Sequence, residues 1–268
     1  MVNLRSRVTR LGVLDIGSNT IHMLIVDAAP GARPDPEAST KSTVRLMQYV
    51  KDDGSIKKSG IEAILTAVDQ CMELAEEYDI TQLLAMATSA IKEAPNSNKI
   101  LRKIEERIGQ SVTVLSGTDE ARLTFLAARR WYGWDAGRLL MLDIGGSSLE
   151  VAMGSDEEPT VALSAAAGAC RITREYLPEG TASVDELEVV RKKVRRILEP
   201  MVDAFPKSKH PAHAVGTSKM FRSLARLAGA VLRQSGREDT WIMTREQLED
   251  WIPRLAAIEP EQRVALPG

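Results

Sequence analysis

Val13-Leu14-Asp15-Ile16-Gly17-Ser18-Asn19-Thr20 decides the fold, because the chain repeats its plan at Met141-Leu142-Asp143-Ile144-Gly145-Gly146-Ser147-Ser148. Each copy begins as an apolar run that reads as a buried strand, puts an Asp near the strand's end, and passes into a turn of Gly and small hydroxyl residues. A second apolar run follows each turn, Ile21 to Val26 and Leu149 to Met153. A strand, a tight turn and a strand are therefore expected twice. Such a turn presents backbone N–H groups with little side-chain bulk and can wrap an anion such as phosphate. The neighbouring Asp can hold a divalent cation, directly or through water. One Gly-Ser turn commonly does no more than reverse the chain. Two at matching places in two halves indicate an internal duplication.

At 268 residues the chain has room for two domains of ordinary size. With 44% hydrophobic and 27% charged residues it reads as globular, not disordered. A net charge of −2 does not imply a broadly basic nucleic-acid surface. The one basic cluster, Arg191-Lys192-Lys193-Val194-Arg195-Arg196, lies in a helical pattern and reads as a solvated helix face in preference to a polyanion-binding edge. Cys71 and Cys170 lack metal-ligand spacing and read as reduced packing residues of a cytoplasmic protein. His22, His210 and His213 form no metal motif. No apolar run approaches the ~18 residues of a membrane span, and no signal peptide is expected.

Outward from the first turn, Ala28 to Ser42 reads as an exposed loop and Val44 to Val50 as a third antiparallel strand. Ile61, Ile64, Leu65, Val68 and Met72 recur at helical spacing. The strand Leu83 to Ala87 runs into Thr88-Ser89-Ala90-Ile91-Lys92-Glu93, small residues and a cation at a strand's C-terminal end, where open α/β sheets bind ligands. A helix from Asn96 to Ile108 and a strand from Val112 to Leu115 follow. Ser116-Gly117-Thr118-Asp119-Glu120 then opens a helix with Thr118 as its N-cap. There the two acids suit either the helix dipole or catalysis. Trp131, Tyr132 and Trp134 read as a core plug or domain seam. The second half repeats the order, with strands Leu139 to Ile144 and Leu149 to Met153, helix Val184 to Leu198 and strand Ala212 to Val215. Gly216-Thr217-Ser218-Lys219 then leads into a helix, a further turn suited to phosphate. Thr244 to Gln247 fits a capping box.

Leu14 through Thr20 with His22 beyond, Ala87-Thr88-Ser89-Ala90, Ser116-Gly117 through Leu123, and Asp143 through Ser147 with Glu150 occur in an order that resembles the exopolyphosphatase / guanosine pentaphosphate phosphatase family. That family lies within the superfamily of actin and of acetate and sugar kinases. The resemblance implies an α/β, duplicated actin-like (ribonuclease H-like) two-domain architecture with a cleft between domains, here 1–130 and 131–268. It implies Mg²⁺-dependent hydrolysis of the terminal phosphoanhydride of inorganic polyphosphate or guanosine pentaphosphate, with Mn²⁺ as an alternative metal. Gly17, Ser18, Asn19 and Thr20 would bind phosphate, as would Gly145, Gly146, Ser147 and Ser148. Lys92 and the Gly216, Thr217, Ser218 turn would add to that set. Asp15 and Asp143 would help bind the metal. Glu120 matches the family's water-activating base, and Glu150 a second active-site glutamate that positions water or metal. Neither nucleic acid nor membrane is an expected partner, and a homodimer is left open.

The sequence departs from the family at four places. Lys92 stands where a phosphate-binding Arg is usual, keeping the charge without the bidentate fork. Ser147 stands where a third Gly is usual. Ser164-Ala165-Ala166-Ala167-Gly168-Ala169 replaces a Leu-Pro-Leu-Gly stretch, and the sequence ends at Leu266-Pro267-Gly268, where family members continue. Two other readings compete: a polyphosphate or alarmone sensor without efficient turnover, motivated by Lys92 and Ser147, and a kinase of the same superfamily.

Overall fold

In the computed structural model, which describes residues 8–29, 35–206, 210–234 and 239–266, the two repeated stretches form matching hairpins. The first joins β1 (Thr9–Ile16) to β2 (Thr20–Ala28), with Asp15 opposite His22 and Ile16 opposite Ile21. It belongs to the first of two compact units, Met1–Ser116. The unit continues with β3 (Pro36–Thr43), α1 (Lys58–Glu77), β4 (Gln82–Ala87), α2 (Ser89–Lys92), α3 (Ser97–Ile108) and β5 (Thr113–Val114). The sheet order is β3-β2-β1-β4-β5, with β4 parallel to β1. Alternation along the hairpin turns Leu14, Ile16, Ile21, Met23 and Ile25 to one face, where all are fully buried. Ile64, Val68 and Cys71 of α1 and Ile100 and Ile104 of α3 pack with them. Their spacing of three and four residues makes each helix apolar along one stripe.

The second unit, Gly117–Gly268, opens with α4 (Gly117–Tyr132). It contains β6 (Leu139–Ile144), β7 (Leu149–Gly154), β8 (Val161–Ala165), α5 (Ala169–Tyr176), α6 (Val184–Asp203), β9 (His213–Gly216) and α7 (Lys219–Leu227). A two-stranded ribbon, β10 (Val231–Gln234) and β11 (Asp239–Ile242), and α8 (Arg245–Ala257) complete it. The sheet order β8-β7-β6-β9 repeats β3-β2-β1-β4, and β9 is parallel to β6 as β4 is to β1. Helices cover both faces. Ala121, Phe125 and Ala128 of α4 pack on Leu139, Met141 and Ala152. Leu198 and Met201 of α6 pack on Leu149, Val151 and Leu163, the residues of opposite parity. No helix among the described residues is long and apolar enough to cross a membrane.

Several expectations need correction. The two compact units are Met1–Ser116 and Gly117–Gly268, and α4 buries its apolar face on the sheet of the second. The third strand is Pro36–Thr43, not Val44–Val50. Its polar sequence alternates between half-buried and exposed, as suits an edge strand, so it carries no apolar run and begins with a Pro that an edge tolerates. Val44–Val50 instead turns back on itself, because Arg45 is left-handed (φ 51°, ψ 56°) and a short 3₁₀ turn, Leu46–Tyr49, follows. α4 starts at Gly117, so Thr118 lies inside its first turn. Cys71 is buried as expected, but Cys170 is exposed. Strand β8, helix α5 and the β10–β11 ribbon carry no signal read from the sequence. The capping boxes of α6 (Ser183, Glu186) and α8 (Thr244, Gln247) are both complete.

Candidate active site

The two turns close by the same hydrogen bond. Gly17 N donates to Thr20 O (3.0 Å) and Gly145 N to Ser148 O (2.9 Å). A Cβ on Gly17 would lie 2.8 Å from Thr20 O, so the first turn has no room for a side chain there. Beside this turn, Thr88 donates its N–H to Ile16 O (3.2 Å), while its hydroxyl is buried without a hydrogen-bond partner. Asp15 stands on β1 opposite His22, and His22 stands opposite Lys41 of β3. Asp15 is solvent-accessible, yet the protein around it raises its carboxyl above the ordinary value, with Lys41 opposing. Burial, and then Lys41, lower the pKa of His22. Lys92 is the exposed last residue of α2, one helical turn beyond Thr88.

In the second unit the corresponding row is acidic. Asp143 of β6 lies opposite Glu150 of β7, and Glu150 opposite Ser164 of β8. Directly opposed residues share a sheet face, here the face that α4 covers. Ser164 Oγ donates to Glu150 Oε1 at 2.8 Å. Thr217 Oγ1 donates to Asp143 Oδ2 at 2.6 Å, and the Thr217 N–H holds Leu142 O at 3.1 Å. The row therefore runs Ser164, Glu150, Asp143, Thr217 across four neighbouring chain segments. Glu120 projects into the same electrostatic neighbourhood from the first turn of α4. It is brought close because Gly117 lies flush on Ser164: a Cβ there would come within 2.3 Å of Ser164 Cβ.

Glu150 is 5% exposed, at the polar end of the apolar layer between α4 and the sheet. Its pKa is pushed up to about 7, chiefly by burial and further by Glu120 and Asp143, against hydrogen bonds from Ser148 and Ser164. Three mutually repelling carboxylates at the C-terminal end of a strand, beside a turn of small residues, suit acid–base chemistry on a phosphate held by N–H donors. The described residues contain no group of three His, Cys, Asp or Glu able to cage a metal. The hard oxygen donors of Asp143 and Glu150 do fit Mg²⁺, which commonly takes one or two carboxylates and completes its shell with water and substrate phosphate.

The profile of the Ppx/GppA phosphatase family matches residues 24–268. The chain belongs to that family. Exopolyphosphatase 1 of Mycobacterium tuberculosis is 43% identical over 260 residues, covering 97% of this chain and 75% of the relative. Exopolyphosphatase 1 of Mycobacterium leprae is 41% identical over 259 residues, covering 97% and 76%. The crystal structure of an exopolyphosphatase from Cytophaga hutchinsonii matches with a TM-score of 0.84 at 24% identity, covering 96% of this chain and 83% of that one. The fold is thus the actin-like two-domain architecture of the Ppx/GppA phosphatases. Like its family, the chain is a phosphoanhydride hydrolase.

Within the second unit the structure gathers Glu120, Asp143, Gly145–Ser148, Glu150 and Thr217 from the expected residues. In the first it gathers Asp15 and Gly17–Thr20. The Gly216–Ser218 turn has internal uses. Gly216 packs on Phe221, where a Cβ would lie 2.4 Å from the ring, Thr217 holds Asp143, and Ser218 caps α7. Sequence reasoning passed over Ser164, Arg171 and the hydroxyl of Thr88. Ser164 had a trace, since it falls in a stretch that departs from the family pattern.

Proposed function

We propose that the chain is an Mg²⁺-dependent exopolyphosphatase that releases the terminal phosphate of inorganic polyphosphate. The observation that carries this is the row of Glu150, Asp143 and nearby Glu120 beside a Gly-Ser turn of small residues. The relatives' name, exopolyphosphatase 1, favours polyphosphate over guanosine pentaphosphate.

In this reading the amides of the 145–148 turn hold the terminal phosphate, and the matching turn at 17–20 offers the same kind of phosphate donors in the first unit. Thr88, with its unpartnered hydroxyl, is a further donor for phosphate or its bound water. Glu120, half-buried where Glu150 is fully buried, reaches the attacking water and takes its proton. The water oxygen bonds to the terminal phosphorus, the bridging P–O bond breaks, and the shortened chain keeps the bridging oxygen with its charge. Glu150, fixed by two hydroxyl donors, orients that water. Asp143, held by Thr217, would hold Mg²⁺ in this unit, and Asp15 stands at the corresponding register position of the first unit. Bound Mg²⁺ would neutralise phosphate charge that the carboxylates otherwise repel. Phosphoryl transfer relies on such positioning and charge compensation more than on covalent chemistry.

The test is phosphate release from long-chain polyphosphate and from guanosine pentaphosphate, with Mg²⁺ and with a chelator. Release from polyphosphate that the chelator abolishes is the expected result. Binding of polyphosphate without release would replace the hydrolase with a sensor.

A further inference from the structure

Each anion turn is gripped from its carbonyl side by the segment that leaves the third strand of its own sheet. In the first unit β3 ends at Thr43, and the next three N–H groups reach back to the turn. Those of Val44 and Arg45 donate to Asn19 O at 2.9 and 3.0 Å, and that of Leu46 to Ser18 O at 2.8 Å. In the second unit β8 ends at Ala165, and the entry into α5 does the same work. Gly168 N donates to Ser147 O (3.2 Å), Ala169 N to Gly145 O (2.9 Å) and Arg171 N to Gly146 O (3.0 Å). The Arg171 side chain adds a fourth bond, Nε to Ser147 O at 2.9 Å. The two grips reach one end by different conformations. The first needs the left-handed Arg45, a backbone state that a non-Gly residue enters at a cost of roughly 1–2 kcal/mol. The second needs Gly168, since a Cβ there would lie 2.3 Å from the backbone of Ser147 and Ser148.

The consequence follows from the planarity of the trans peptide. A C=O and the N–H of the next residue point in opposite directions. Three successive carbonyls, those of Gly145, Gly146 and Ser147, are tied toward α5. The N–H groups of Gly146, Ser147 and Ser148 therefore face away from it, while the carbonyls of the same three peptides are hydrogen-bonded. Among the described residues, these three amides donate to no backbone carbonyl. The turn offers an anion donors only.

We propose that Arg171 is a positioning residue for phosphate binding, which aligns the N–H groups of Ser147 and Ser148 by holding the carbonyls of Gly146 and Ser147. The proposal rests on the reading of the 145–148 turn as a phosphate site. The Nε bond and the charge both depend on the side chain, so Arg171→Ala and Arg171→Lys separate them: Lys keeps the charge without the Nε donor.

The experiment pairs steady-state kinetics on polyphosphate with hydrogen exchange of the turn amides, with and without tripolyphosphate. In the native protein, tripolyphosphate should slow exchange of the amides of 146–148. Both variants should lose most of that protection, with β6 and β7 exchanging as before. KM should rise about tenfold, the effect of one lost hydrogen bond, and kcat should stay within about twofold. Native KM and native protection in both variants overturn the proposal. So does a parallel fall in kcat with a lowered melting temperature, which marks a scaffold residue instead. If the native protein shows neither phosphate release nor tripolyphosphate protection, the phosphate reading itself fails, and this proposal with it.

Discussion

Glu150 is held in its proton-binding form to higher pH than a surface glutamate, and this has a measurable stability signature. Its folded pKa is raised, from 4.5 to about 7. The stability it contributes is therefore fully present below about pH 4.5 and is lost as pH rises through about 7. With a chelator present, Glu150→Gln should melt above the native protein at pH 8, and the gap should close toward pH 4.5. A shift of this size is worth no more than ~3 kcal/mol. A gap that widens toward acid would contradict the burial of this carboxyl. Glu120 and Asp119 make a second contrast. Residues one apart on a helix project about 100° from each other, so the two acids serve different neighbourhoods. Glu120→Gln should lower turnover by roughly 10²–10⁴, as for a positioned base, and Asp119→Asn much less. A reversed ranking moves the base to Asp119. Thr217→Val removes the 2.6 Å bond to Asp143. The Mg²⁺ concentration for half-maximal activity should then rise about tenfold, the usual effect of freeing a metal-binding carboxylate; an unaltered Mg²⁺ titration would remove Asp143 from the metal's shell.

At the scale of elements, the approach of α4 to β8 sets the distance from Glu120 to Glu150. Gly117→Ala puts a methyl against Ser164 and should cost roughly 1–3 kcal/mol as overpacking. It should also lower kcat by shifting the first turn of the helix. Adding Ser164→Gly should recover stability by making room; calorimetry of the pair checks it, and additive losses would mean the two do not share a contact. The hairpins and α1 and α3 were legible because their apolar residues repeat at two or at three to four, and α4 because Thr118, Asp119 and Glu120 read as a helix start. β3 was not, because an edge strand with Thr, Ser and Lys on its accessible face has no apolar period. The grips on the turns were also hidden. They are made by main-chain N–H groups, which every residue type but Pro supplies, so no side chain announces them. Gly168 and left-handed Arg45 show what they need only in three dimensions.

Across the whole molecule, the duplicated sheets keep their strand order and turn closure, and have diverged in the row beside the turn. Lys41, His22 and Asp15 occupy in one unit the register that Ser164, Glu150 and Asp143 occupy in the other. The resemblance between the halves was visible in the repeated Asp-Ile-Gly-Ser and Asp-Ile-Gly-Gly sequences. The divergence needed the strand register, since His22 and Glu150 follow their turns at the same offset but share no chemistry. A chain of net charge −2 must then attract a polyanion by local donors and cations. Polyphosphate KM should rise with salt, because accessible charges are screened within about 10 Å at 0.1 M. A KM indifferent to salt would count against charged groups in binding.

The contrast between the two thiols has a practical consequence. Cys71 is sealed in the first unit, where burial pushes its pKa to about 11 and leaves almost no thiolate at neutral pH. Cys170 is exposed, between Ala169 and Arg171, whose amides grip the 145–148 turn. A maleimide dye at pH 7 should therefore couple once per native chain and twice in denaturant, as intact-mass spectrometry would show. The chain thus carries its own single attachment point for a fluorophore, seated beside the turn whose occupancy it would report.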